Sequence, residues 1–268
     1  MGEVLVVTSG KGGVGKTTTV ANLGTGLAMA GKKVVLVDAD IGLRNLDVVL
    51  GLENRIVFDL VDVVENRCRL KQALIRDKRL EGLFLLPASQ AKDKSAVQPE
   101  QMRELCKNLS QEYEYVLVDC PAGIEQGFKN AIAGADSALI VTTPEVSAVR
   151  DADRIIGLLE AAELTAPRLI INRLRPEMVR RGDMMDVEDI REILAIDLIG
   201  VVPDDEGIIV STNKGEPIVN RGSSLAARAF LDISRRIMGE EVSYLDLIPP
   251  GGFFFRLKKI MGMGSRGS

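Results

Sequence analysis

Nine consecutive residues carry the clearest chemistry in this chain: Gly10-Lys11-Gly12-Gly13-Val14-Gly15-Lys16-Thr17-Thr18. They satisfy the pattern GxxxxGK[ST] and lie between an apolar run, Val4-Leu5-Val6-Val7, and a helix-like stretch from Lys16 to Ala30, which is the context the pattern requires. The glycines permit a tight turn whose backbone N–H groups converge, and the helix start adds its positive dipole end. A polyphosphate is therefore the natural occupant. In such a loop Lys16 reaches the β- and γ-phosphates, Thr17 offers its hydroxyl to Mg²⁺, and Thr18 supports the α-phosphate side. Carboxylates follow at two further strand ends, Asp38 and Asp40 in Val37-Asp38-Ala39-Asp40 and Asp119 after Tyr115-Val116-Leu117-Val118. A doubly wound sheet opens its ligand crevice at the carboxyl ends of its strands, so these side chains are expected to face the phosphates. Asp119 can hold Mg²⁺ directly or through water, and Pro121-Ala122-Gly123 begins a loop able to move with the γ-phosphate. Asp38 also has a plainer reading, as the cap of a following helix.

The elements that must position these groups are legible as an alternation. Apolar, β-branched runs recur at Val34–Val37, Leu83–Leu86, Tyr115–Val118, Ala138–Val141, Leu169–Ile171 and Leu198–Val202. Helix-like stretches cover Pro99–Gln111, Glu125–Ala133, Val146–Ala162, Val187–Leu194 and Ser223–Met238. Near-continuous apolar strands alternating with helices predict an α/β fold: one doubly wound, mostly parallel sheet with helices on both faces, of the P-loop NTPase kind. The expected organisation is an ATPase domain over 1–248, a Pro/Gly linker over 249–252, an amphipathic helix over 253–262 and an unstructured tail over 263–268.

Composition narrows the function. The chain has 268 residues, 34 Lys plus Arg against 38 Asp plus Glu, and a net charge of −4, which argues against coating nucleic acid with the whole surface. It contains no histidine, so a His-based triad or a His-ligated metal is excluded. Its three cysteines, Cys68, Cys106 and Cys120, are dispersed without a CxxC spacing and fit buried thiols in a reducing compartment. No apolar run reaches the ~18 residues of a membrane span, and a first strand starting at Val4 leaves no room for a leader peptide within this chain.

Beyond the Pro-Pro-Gly-Gly break, Phe253, Phe254, Leu257, Ile260 and Met261 fall within about 120° of arc at 100° per residue, with Arg256, Lys258 and Lys259 outside it. Phe255 is the misfit. A short basic amphipathic helix of this kind lies in a lipid interface, with Phe253, Phe254, Leu257, Ile260 and Met261 below and Lys258 among anionic headgroups. A helix docking on the protein's own core is the alternative use of the same pattern.

The second lysine of the loop, Lys11, departs from an ordinary P-loop. Lys11 together with Lys16 resembles the deviant Walker A motif of the MinD/ParA class of ATPases. The resemblance to the MinD-like branch extends through Asp40-Ile41-Gly42-Leu43-Arg44-Asn45-Leu46-Asp47, Leu86-Pro87-Ala88-Ser89-Gln90, Asp119-Cys120-Pro121-Ala122-Gly123-Ile124-Glu125, Pro144-Glu145-Val146-Ser147, Arg181-Gly182-Asp183-Met184 and Gly215-Glu216-Pro217. It implies an ATP-dependent homodimer in which Lys11 reaches the partner's phosphates. By position it makes Lys11, Lys16 and Asp40 catalytic, with Asp40 orienting the attacking water, and places Asp38 with Thr17 and Asp119 in the Mg²⁺ region. It assigns adenine contacts to Asn172 and Arg173, with Pro203 and Asp204 at the next strand end; a strand-end Asn is equally a turn former. Arg150, Asp151 and Asp153 fall on the helix that relatives use for partners, or form a solvated charged face. The implied function is placement of the division septum from the inner face of the cell membrane. It would recruit a MinC-like inhibitor and be released by hydrolysis that a MinE-like or other topological factor stimulates. A ParA-like partition ATPase binding DNA nonspecifically is the alternative, which the net charge and the Phe-rich tail disfavour. Relatives that hold an iron–sulfur cluster use paired cysteines, and Cys120 has no second cysteine in a matching loop.

Overall fold

The structure is a computed structural model that describes residues 1–247. The expected linker, amphipathic helix and tail over 249–268 lie outside the described residues. Among the described residues eight strands form one sheet: β1 (Glu3–Thr8), β2 (Val34–Asp38), β3 (Ile75–Arg76), β4 (Leu83–Leu86), β5 (Tyr115–Asp119), β6 (Ser137–Thr142), β7 (Arg168–Leu174) and β8 (Asp197–Pro203). Their spatial order is β3-β4-β2-β5-β1-β6-β7-β8, parallel throughout except for the antiparallel β3–β4 pair. The fold is the α/β doubly wound sheet the sequence predicts.

Residue alternation in the strands divides the core in two. Val4 and Val6 of β1 face a cluster with Val116, Val118, Leu105, Phe128 and Ile155, whereas Leu5 and Val7 face one with Leu36, Leu23, Leu27, Phe230 and Ile233. Helices α5 (Pro99–Glu112), α6 (Gln126–Ile132), α7 (Val146–Ala161) and α9 (Val187–Leu194) supply the first layer; α1 (Lys16–Met29) and α11 (Leu225–Ile237) lead the second. Strands covered on both sides are why the runs read as continuously apolar.

Five short helices and one strand escaped the sequence reading: α2 (Leu46–Leu50), α3 (Leu60–Val64), α4 (Leu70–Ala73), α8 (Pro176–Arg181), α10 (Glu206–Thr212) and the two-residue β3. None is long enough to show a helical period. The expected helix start at Ser223 moves two residues, because the Ser224 hydroxyl accepts from the Ala227 N–H and caps α11.

After β1 the chain crosses to β2 on one side and later returns to β6 on the other, so the winding reverses at β1. That switch point opens a crevice at the carboxyl ends of β1, β5 and β2. Among the described residues no helix is long and apolar enough to cross a membrane.

Candidate functional site

The loop from Gly10 to Gly15 joins β1 to α1 at this crevice. Gly13 and Gly15 have φ of 79° and 97°, the left-handed region that glycine enters without strain. Gly15 caps α1 with no side-chain acceptor, and the first N–H to find a helical partner is that of Thr19, on the Gly15 carbonyl. The amides of Lys16, Thr17 and Thr18 thus face the crevice at the positive end of the helix, with no acidic residue in the first turn. Gly10 is required by contact: a Cβ there would lie 2.2 Å from the Asp151 carbonyl oxygen on α7.

The two lysines are held in different ways. Lys16 is buried, and its Nζ donates to Ser9 Oγ at 3.0 Å; Ser9 Oγ in turn donates to the Lys11 carbonyl at 2.8 Å. Lys11 projects from the lip of the crevice with its side chain 41% exposed, where its Nζ meets Glu145 Oε2 at 3.2 Å and Ser147 Oγ at 3.1 Å. One ammonium is seated inside the crevice and the other waits outside it.

The carboxylates converge on the same place. Asp38 and Asp119 are direct neighbours in the β2–β5 register, and both are buried. Burial raises the pKa of each well above the ordinary carboxylate range; for Asp38 the neighbouring Asp119 charge adds to this, while for Asp119 the Thr17 hydroxyl and Lys16 act in the opposite direction. Asp38 also does the capping considered for it: its oxygens accept from Asp40 N at 3.0 Å and from Leu46 N, the first residue of α2, at 3.2 Å. It therefore ties the loop over 40–45 to the strand end. Asp40 itself is half-buried beside Asp119, close enough for its charge to act on that carboxylate.

A hard cation fits these groups. Asp119 Oδ1 is buried with no hydrogen-bond partner among the described residues, and the donor set of Thr17, Asp38 and Asp119 is oxygen only. Among the described residues no cluster of three or more acidic, His or Cys side chains could enclose a metal alone. That suits Mg²⁺, which takes one or two protein oxygens and completes its shell with water and phosphate.

Asn172 is buried at the end of β7, where its Nδ2 donates to the Val14 carbonyl at 2.8 Å and its Oδ1 accepts from Arg173 N at 2.9 Å. Neither of the two sequence readings anticipated that bracing of the phosphate loop. Arg173 is exposed with φ of 58°, and Pro203 ends the adjoining β8 with Asp204 just past it, where Asp204 pairs with Arg175. Arg150 and Asp153 are exposed on α7 and Asp151 is half-buried against Gly10. Glu145 and Ser147, the partners of Lys11, escaped the sequence reading as site residues; only the placement of β6 beside β1 brings them near. Cys120 is buried, and burial pushes its thiol up to about 12, which makes it an inert packing group.

A parallel sheet whose first strand feeds a glycine loop with a seated and an exposed lysine, above paired strand-end carboxylates, defines a P-loop ATPase of the two-lysine kind. The family described as the CobQ/CobB/MinD/ParA nucleotide binding domain matches residues 5–218. The septum site-determining protein MinD of Bacillus subtilis is 57% identical over 268 residues, covering 99% of this chain and all of that protein. A solved MinC:MinD cell division protein complex from Aquifex aeolicus contains a chain with 52% identity and a TM-score of 0.84, covering 92% of this chain and 100% of that one. MinD from Pyrococcus horikoshii, solved with Mg-ADP, has 31% identity and a TM-score of 0.80 over 88% of this chain and 96% of that one. The chain belongs to the MinD family of cell-division ATPases, which use ATP with Mg²⁺.

Proposed function

We propose that this chain is an ATP-driven membrane switch that helps place the division septum. The observation that carries the reading is the contrast between Lys16, buried at the phosphate loop, and Lys11, exposed at its lip with an ion pair that a second copy could replace. In this reading two copies close over their nucleotides, and Lys11 of each reaches the phosphates bound by the other. Lys16 and the inward amides of Gly13, Val14 and Gly15 hold the β- and γ-phosphates, joined by those of Gly10 and Gly12 in the loop. Thr17, Asp38 and Asp119 hold Mg²⁺, which neutralises phosphate charge. Asp40 orients water for in-line attack, and Asn172, Arg173, Pro203 and Asp204 border the adenine. Among the described residues none in the crevice is a strong base, which suits a slow timer.

Dimerisation brings two C-terminal segments, each with Phe253, Phe254, Leu257, Lys258, Ile260 and Met261, to one anionic membrane surface. One such segment binds weakly, and a second on the same particle raises avidity by ~10² or more. Arg150, Asp151 and Asp153 serve a MinC-like inhibitor and a MinE-like or other stimulating factor. The relative solved with MinC supports the first of these partners. Contact between Asp151 and Gly10 supports a route from partner to phosphate loop. The protein then cycles between cytoplasm and the inner face of the membrane.

Sedimentation with anionic vesicles tests this, comparing ATP-Mg²⁺, ADP-Mg²⁺ and no nucleotide, for the full chain, a chain truncated after Gly252, and Lys11→Ala. The expected outcome is binding with ATP only, lost on truncation and reduced at least tenfold by Lys11→Ala. Wild-type binding by Lys11→Ala would remove the trans-lysine switch, and binding indifferent to nucleotide would reduce the tail to a simple anchor.

A further inference from the structure

A second concavity lies over the β8 edge of the sheet and adjoins the nucleotide crevice at Glu145 and Arg173. Its volume is about 1340 Å³, larger than the ~300–1,000 Å³ of most small-molecule sites. Its apolar lining includes Met178 of α8, Met185, Val187 of α9, Leu198 and Val201 of β8, and Leu247, each half-buried. Three methionines border it, Met178, Met184 and Met185, and flexible thioether side chains adapt to irregular apolar partners. An exposed apolar groove of this size marks something that covers it.

The chain itself delivers a candidate. After α11 the backbone wraps the β8 edge: Arg236 holds the carbonyls of Val242, Ser243 and Ile199 and stacks over the Tyr244 ring at 4.2 Å. Leu245 then packs on the α11 face of the sheet and Leu247 on the opposite face, at the groove. The described chain ends at Leu247, and Phe253 follows six residues later, a span of at most ~20 Å. A segment tethered that closely is presented at an effective concentration of ~mM. The charge balance also favours it: Glu145, Asp183, Asp186, Glu188, Asp189 and Asp246 line the groove against Arg173, Arg175, Arg180 and Arg191, whereas the segment carries Arg256, Lys258 and Lys259. Arg175, Arg180 and Arg191 pair with Asp204, Glu177 and Glu188, and Asp183 pairs with Arg181, so the segment's cations would add to or compete with these exposed pairs.

We propose that the apolar side chains of Phe253–Met261 dock into this groove of their own chain when no lipid is present. The groove's far end is formed by Thr143–Val146 and Arg173, next to the Glu145 that holds Lys11, so docking and dimer closure involve adjoining surfaces. Docking rests on the groove and the tail pattern alone; its competition with lipid rests on the membrane reading above.

The chain has no tryptophan, so Phe254→Trp places one reporter in the segment. In the full-length chain without nucleotide or lipid, its emission is expected to be blue-shifted and several-fold protected from acrylamide. That protection is expected to be independent of protein concentration and lost with either Met178→Glu or Met185→Glu, with far-UV dichroism and basal ATP hydrolysis unchanged. A solvent-exposed reporter, or protection that survives both groove substitutions, would overturn the proposal. Protection that grows with protein concentration would overturn it too, by assigning the groove to a second copy. Added phosphatidylglycerol vesicles separate the two readings. Vesicle binding by a chain whose reporter is exposed in solution leaves the membrane switch and removes the docking. A protected reporter that ignores vesicles keeps the docking and removes the membrane switch.

Discussion

The two ends of the central sheet hold their polar groups in opposite states. At the amino-terminal end nearly every group is matched: Asp136 Oδ2 accepts from Val4 N at 2.8 Å, Gly2 N donates to Ser110 O, and Glu114 receives both Lys33 N and Lys32 Nζ. At the carboxyl end Asp38 and Asp119 are buried side by side, and Asp119 Oδ1 has no hydrogen-bond partner among the described residues. Leaving a buried carboxylate in that state costs free energy, so a fold keeps it only where a ligand supplies the missing partner. The same sheet therefore has a closed end that holds it together and an open end that binds.

The largest effect that follows is at Lys16. Lys16→Ala removes the only ammonium buried at the phosphate loop among the described residues, and ATP hydrolysis is expected to fall by roughly 10²–10³-fold, measured by phosphate release. A smaller fall would mean that the loop amides bind phosphate without it.

The second is at Asp119. Burial raises both carboxylate pKa values, so the protonated forms favour the folded state, and that contribution is lost as pH rises from the ordinary carboxylate range through the raised values. Asp119→Asn removes one of the two titrating groups. Without Mg²⁺ its thermal midpoint is expected to exceed the wild type's by a few degrees at pH 8, with the gap closing toward pH 5, while Mg²⁺-dependent hydrolysis is lost. A gap constant with pH would show that the pair is not frustrated.

The third reverses the comparison. Asp136→Ala leaves the part-buried Val4 N–H without its acceptor, and chemical denaturation is expected to register a loss of about 1–3 kcal/mol. The hydrolysis rate per folded molecule should not change, because this end of the sheet takes no part in nucleotide binding. A matching loss of rate would show the two ends to be coupled.

Legibility in the sequence followed the same division. The glycine loop, the strand-end aspartates and the alternation of elements were readable because each depends on local spacing: a turn that needs Gly13 and Gly15, a strand that ends at Asp119. What was not readable depends on distance along the chain. Lys11 meets Glu145 across 134 residues, and Asn172 braces Val14 across 158, pairings that exist only once β6 is placed beside β1 and β7 beside β6. Helix α2 is five residues long and is fastened by the Asp38 carboxylate and the Arg44–Asp47 pair, neither of which leaves a periodic trace. The groove over β8 is likewise a product of topology, since Met178, Leu198 and Leu247 come from three separate elements.

The smallest predicted effect sharpens the comparison most, because it asks whether the closed end is closed by charge. The Lys33 N–H and then the Lys32 ammonium hold the Glu114 carboxyl below its usual pKa. A depressed carboxylate adds stability that is present above its unfolded value and lost as pH falls through the folded one. Glu114→Gln is therefore expected to lower the midpoint slightly at pH 7, with the difference shrinking as pH falls through the folded value and the wild-type group becomes protonated too. The side chain is largely solvated, so screening confines the effect to well under ~1 kcal/mol. The backbone contact with Lys33 N survives in a glutamine, whose carbonyl oxygen still accepts, and only the charge is removed. A larger loss would mean that this end of the sheet depends on charge rather than on satisfied backbone groups, and the contrast with the nucleotide end would then be one of sign and not of kind.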